Sequence, residues 1–174
     1  MEIFSLAAIS RGEEDWLDME IEMKIRGLMM DPTANTPIVI LKDVAGESLL
    51  PIWVGTYEAN AIATEIEKMS SQRPMTHDLM RNVIRELGGT LRRVVITSLI
   101  DNTFYAYIEI ERDADLLIID SRPSDALALS LRMDCPIYVS HQVIKSSSAT
   151  LLDGAASTDD WPEEYVEDGT NYKM

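Results

Sequence analysis

The apolar residues of this chain fall into two spacings, and the switches between them mark out its elements. Lys24–Met30 reads as a strand. Asp31-Pro32 and Asn35 punctuate a loop. Thr36–Val44 (TPIVILKDV) is β-branched and apolar, a buried strand, and Ser48–Val54 returns across Ala45-Gly46-Glu47 as its hairpin partner. Tyr57–Met69 changes period: Ala59, Ile62, Ala63, Ile66 and Met69 share one helical face. A second helix, 76–88, starts at Thr76 as N-cap, carries Leu79, Met80, Val83, Ile84 and Leu87 as its apolar stripe, and ends at Gly88-Gly89. Thr90–Leu99 and Thr103–Glu111 predict a second hairpin around Asp101-Asn102.

The stretch Leu116–Val139 then reads as strand, polar turn, helix and short strand. Its helix, Pro123–Met133, is apolar nearly all round, which places it under a sheet or at a subunit contact. Sliding the chain by 67 residues aligns 22–67 with 89–134, with eight identities over 46 positions. Arg26, Asn35, Thr36, Leu49, Leu50, Ile52, Ala59 and Ala61 meet identical residues, and Glu58 meets Asp125. Both halves read strand–strand–strand–helix. The expected fold is therefore α+β: a mixed or antiparallel sheet packed with helices, built from a duplicated βββα unit with helix 76–88 as an extra connector. A pseudo-twofold relation between the copies would bring the two helix starts together.

Composition refines the boundaries. The net charge is −15, but residues 1–20 hold six acids and one base, and 146–174 hold seven acids and one base. The centre is only mildly acidic. This divides the chain into an N-terminal extension (1–22), a folded domain (23–145) and an acidic, flexible tail (146–174). Residues 1–18 also read as a loosely attached piece or an over-called start. Nothing resembles the basic face of a tight non-specific nucleic-acid binder. The single cysteine, Cys135, excludes an intrachain disulfide and a cysteine-based zinc cluster. No apolar run approaches the ~20 residues of a membrane span, and the start lacks a signal-peptide pattern, so the expected location is cytoplasmic.

Candidate chemistry gathers at helix starts. Asp120, Ser121, Arg122, Ser124 and Asp125 surround the turn before the last predicted helix. One reading is structural: Pro123 suits the first helical position, Ser124 and Asp125 serve free backbone N–H groups, and Arg122 pairs with a carboxylate. The other is functional. Arg122 and Ser124 at a helix start can hold a phosphate, while Asp120 and Asp125, with Glu58, can hold a divalent ion such as Mg²⁺ or Mn²⁺ that activates water. Arg73-Pro74-Met75-Thr76-His77-Asp78 repeats the layout: Arg73 is a second phosphate ligand, and His77 beside Asp78 is a proton carrier. No spacing here specifies a metal or nucleotide by itself.

Four segments in this order, LPIWVGTYEANAIA (50–63), RPMTHDLMRNVI (73–84), VVITSLIDNTFYAYI (94–108) and DSRPSDALALSLRMDCPIYV (120–139), resemble the bifunctional nuclease domain family. The resemblance covers Met23–Ile144. It implies a compact α+β domain, assembly into dimers or higher homo-oligomers, and cleavage of both RNA and DNA, an activity attached to plant members. It carries over no catalytic residue, so the candidates remain those read from the residues. The rival to a nuclease is a non-catalytic binding or assembly module in which the polar turns are caps and ion pairs.

Overall fold

Strand and helix follow one another much as the spacing predicts. The computed structural model describes residues 20–46 and 48–153. Its elements are β1 (Glu20–Met30), β2 (Pro37–Asp43), β3 (Leu49–Trp53), α1 (Thr56–Ile66), α2 (Thr76–Glu86), β4 (Gly89–Ile100), β5 (Thr103–Arg112), β6 (Asp115–Ser121), α3 (Pro123–Met133), β7 (Ile137–Ser140) and α4 (His141–Asp153). The expectations for residues 1–19 and for the tail beyond Asp153 lie outside the described residues.

All seven strands join one mixed sheet in the order β3-β2-β1-β7-β4-β5-β6. The meanders β1–β3 and β4–β6 are antiparallel throughout. The short β7 sits between them, antiparallel to β1 and parallel to β4. The two meanders therefore run in opposite directions on either side of β7, each followed by a helix, the order that a duplicated unit would take. Asn35 and Asn102, which the 67-residue shift superposes, both adopt positive φ, near 50° and 58°. Asparagine tolerates that left-handed conformation better than most residues.

The core lies between one sheet face and the helices. Met23, Val39, Leu41, Leu50 and Ile52 from the first meander meet Val94, Ile96, Ile108 and Ile110 from the second, with Ala59 and Ile62 of α1 above them. The centre of this layer is α3, whose Ala126, Leu127, Ala128 and Leu129 are fully buried. Its apolar circumference is thus used up within one chain: α3 packs on β4 and β5 below and on α1 and α2 at its sides. Across the sheet, Arg93 links three strands. Its guanidinium donates to Glu109 of β5 at 2.7 Å and to Glu20 of β1, and it lies 5.4 Å from the ring centre of Tyr138 of β7. Burial, with the carboxylates of Glu20 and Glu109 nearby, pushes the Tyr107 hydroxyl beside this pair up to about 12.

Three features differ from the expectation. Strand β1 starts at Glu20, ahead of Lys24, because Glu20–Met23 pair with β7. Helix α4 forms from His141 through a serine-rich stretch of low helix propensity, since burying Val143, Ile144 and Ser147 overrides that weak local preference. Helix α2 is largely turned over: Leu79, Met80, Val83 and Leu87 of its predicted core stripe are exposed and Ile84 packs against the core, while His77 is buried and Asp78 and Arg81 are half-buried. The reason is electrostatic and belongs to the site described below.

The two sheet edges are also unequal. Leu50 and Ile52 of β3 are buried, and α4 packs against that strand. Their counterparts under the shift, Leu117 and Ile119 of β6, are exposed, as are Leu116 and Ile118 on the opposite face. An apolar edge strand bare on both faces is a pairing hazard in water. Truncation of the buried Leu129→Ala is expected to cost about 2–5 kcal/mol in urea unfolding, whereas Ile118→Ala on the bare edge is expected to stay within about 0.5 kcal/mol. Equal losses at both positions would contradict this assignment of the core.

Candidate functional site

The starts of α1 and α3 meet, and α2 closes over them. Helix α1 begins after Gly55, which is so close to Glu58 that a Cβ at position 55 would lie 2.3 Å from Glu58 Oε2. A bare backbone there lets the Glu58 carboxylate fold back over the helix start. Helix α3 begins after Arg122, with Pro123 at a position where a missing N–H costs nothing. Helix α2 is capped from within: Asp78 Oδ2 accepts the Met75 N–H at 2.9 Å. Met75, not Thr76, is therefore its N-cap residue.

Arg122 joins the two helix starts. Its Nη1 donates to Glu58 Oε1 at 2.9 Å, its Nε to Asp125 Oδ2 at 2.7 Å and its Nη2 to Asp125 Oδ1 at 3.2 Å. Glu58 and Asp125, the residues superposed by the 67-residue shift, thus share one guanidinium. His77 Nε2 lies 2.9 Å from Asp125 Oδ1. Against an ionised carboxylate that nitrogen must carry the proton, which leaves Nδ1 as the acceptor of a neutral ring. Burial of Asp125 opposes its charge, but the hydrogen bonds from Arg122 and His77 outweigh it and hold the carboxyl below its ordinary value. The same carboxylate hydrogen bonds keep the Arg122 guanidinium charged.

A second arginine lies beneath, one that the sequence reading passed over. Arg132 is 7% exposed. Its Nε donates to Asp78 Oδ1 at 2.8 Å, its Nη1 to the Ala128 carbonyl at 2.9 Å and its Nη2 to the Ala61 carbonyl at 3.0 Å. One buried guanidinium therefore ties α1, α2 and α3 together. Burial of Asp78 also opposes its charge, and the Met75 N–H and Arg132 reverse the outcome. The available signal was the one basic residue in a helix apolar nearly all round, which in a core requires partners.

Glu58, His77, Asp78, Arg122 and Asp125 are thus drawn into this region. Of the other three candidates, Asp120 and Arg73 are not. Asp120 is exposed on β6, paired in register with Tyr107. Arg73 is exposed in the loop before α2. Ser124 is buried in the first turn of α3. These positions decide whether a divalent ion fits. Glu58 and Asp125 are both turned onto Arg122, and Asp120 stands outside the cluster. Among the described residues, no three His, Cys, Asp or Glu side chains are placed to hold a metal. An ion between Glu58 and Asp125 would have to displace Arg122. In this arrangement the residues do not fit Mg²⁺ or Mn²⁺.

The sequence model of the bifunctional nuclease domain matches residues 39–151. An uncharacterized protein of Mycobacterium tuberculosis is 37% identical over 132 residues, covering 76% of this chain and 79% of that protein. This chain belongs to the bifunctional nuclease domain family. Bifunctional nuclease 1 of Oryza sativa subsp. indica is 22% identical over 141 residues, 79% of this chain and 41% of the plant protein. Bifunctional nuclease 2 of Arabidopsis thaliana is 23% identical over 122 residues, 68% of this chain and 37% of the relative. The chain thus spans well under half the length of these plant proteins. Within the family domain, every residue of the cluster from Glu58 to Arg132 lies inside the matched segment. Among the described residues, no helix is long and apolar enough to cross a membrane.

The sign of the acid response follows from Asp78 and Asp125. Both are held below the ordinary carboxylate value of 3.8. Their contribution to stability is complete above that value and is lost as pH falls through it toward the lower folded values. Thermal melts are expected to be level near neutral pH and to fall below about pH 4, with a shallower fall for Asp125→Asn. An equally steep fall in that variant would contradict the ion pairing.

Proposed function

We propose that this chain cleaves phosphodiester bonds of RNA or DNA at the Arg122–Asp125–His77 cluster. One observation carries the reading: the side chain of Arg122 is 65% exposed although three hydrogen bonds hold it in place. A fixed guanidinium open to solvent is pre-organised to meet a phosphate. Asp125 orients the His77 ring, the arrangement by which a carboxylate prepares an imidazole for proton transfer. In hydrolysis, the oxygen of water bonds to phosphorus as the ester P–O bond breaks. One water proton passes through His77 to the leaving oxygen. Membership of the nuclease family supports this chemistry, and the reading routes no step through a metal ion. A cytoplasmic location belongs to the same reading.

A second reading has its own support. Each of Glu58, Asp125, His77, Asp78 and the two arginines has a partner within the cluster, as a purely structural brace would require. The apolar faces of α2 and β6 look outward, which suits assembly with further copies of the chain. This is the non-catalytic module, and its interface would use those faces and not the buried α3.

The test is cleavage of end-labelled single-stranded RNA and DNA by the full chain, in EDTA and in Mg²⁺ or Mn²⁺. Wild-type cleavage is expected, with kcat/KM falling about 10²-fold or more in Arg122→Ala and about 10²–10⁴-fold in His77→Gln. Circular dichroism controls for folding. No cleavage under any condition, or an unchanged rate in Arg122→Ala, would overturn the catalytic reading.

A further inference from the structure

One aromatic side chain stands free beside the Arg122 cluster. Tyr57 is 89% exposed, more than any other large apolar side chain among the described residues. It lies in the first turn of α1, directly before Glu58. Ala59 and Ile62 carry the inner face of α1 into the core. At about 100° per helical residue, Tyr57 sits about 200° round from Ala59, so its ring is sent outward. Among the described residues its hydroxyl makes no hydrogen bond. Neither packing nor hydrogen bonding therefore explains a tyrosine here. A lone exposed aromatic is ordinary on a protein surface, but this one is set apart by its neighbour. Glu58 accepts from Arg122 Nη1 at 2.9 Å, and consecutive Cα atoms are about 3.8 Å apart. The ring thus leaves the backbone next to the residue that Arg122 grips.

We propose that Tyr57 is a stacking platform for a nucleobase whose phosphate meets Arg122, which makes the substrate single-stranded; this rests on the cleavage reading above. Charge points the same way. Binders that rely on the phosphate backbone gain affinity from many Lys and Arg contacts, and this chain holds 15 bases against 30 acids. Arg122 also shares its charge with Glu58 and Asp125. Phosphate contact alone is thus a weak hold, and another source of affinity is needed. Stacking on an aromatic ring supplies it without net charge, at about tenfold in affinity or more per base. Inside a duplex the faces of a base are covered by its neighbours, so the ring can take only an unstacked base. Every base has a π-face, so Tyr57 selects for strandedness and not for sequence.

The experiment is fluorescence anisotropy of the full chain with a labelled DNA single strand carrying phosphorothioate links, which slow cleavage. The same strand with abasic sites and the matching duplex serve as further probes. Wild type is expected to bind the intact strand more tightly than either. Tyr57→Ala is expected to weaken that binding about tenfold and to leave the abasic strand unchanged, while Tyr57→Phe and Tyr57→Trp retain it. The exposed ring supports no contact in the fold, so all three variants are expected to melt with wild type, which separates lost binding from lost folding. Equal affinity of wild type and Tyr57→Ala for the intact strand, or an equal loss on the abasic strand, overturns the proposal. Stacking-dependent binding with no turnover under any condition would sink the nuclease reading and leave the platform standing. Turnover that falls in Arg122→Ala and keeps its full kcat/KM in Tyr57→Ala would do the reverse.

Discussion

The buried guanidinium of Arg132 is the constraint on which the helical layer depends. A charge taken out of water is costly unless hydrogen bonds and a counter-charge replace the solvent. Arg132 meets that requirement from three helices at once: Asp78 on α2, the Ala61 carbonyl on α1 and the Ala128 carbonyl on its own helix. Asp78 must therefore face inward, and His77 beside it comes within reach of Asp125. Helix α2 cannot satisfy these contacts and also bury its whole apolar stripe: Ile84, seven residues after His77 on the same face, reaches the core, and the rest of the stripe lies on another face. The charges win, and Leu79, Val83 and Leu87 are left in solvent.

The two arginines of the layer divide the work by depth. Arg132 is enclosed and fixes how the helices sit. Arg122 is open and holds Glu58 and Asp125 at the joint between the two helix starts. Of these groups Arg122 is the most open to solvent, with Asp125 and His77 more enclosed behind it. That order suits a nuclease site, but the same contacts also make a stable joint. Only turnover distinguishes these uses.

Period and turn chemistry made most of the fold readable. Val39–Leu41 and Leu50–Ile52 announce buried strands, Asp101-Asn102 announces a hairpin, and Gly88, with φ near 76°, closes α2 as expected. Pro123 marks the start of α3. The family resemblance rested on motifs that turn out to supply the cluster. What could not be read was long-range. The stripe of α2 is a good core stripe by spacing, and only its distant partners Arg132 and Asp125 decide against it. Asp120 looked like Asp125 in sequence, yet it lies exposed within strand β6 while Asp125 stands in the first turn of a helix. Arg132 was hidden by the apolar residues around it.

The most direct test of the brace is a double-mutant cycle between Asp78 and Arg132, using Asp78→Asn, Arg132→Met and both together in urea unfolding. A coupling of about 2 kcal/mol or more is expected for a close, enclosed charge pair. Additive losses, with coupling near zero, would mean that Arg132 does not hold α2 and that the inward turn of that helix has another cause.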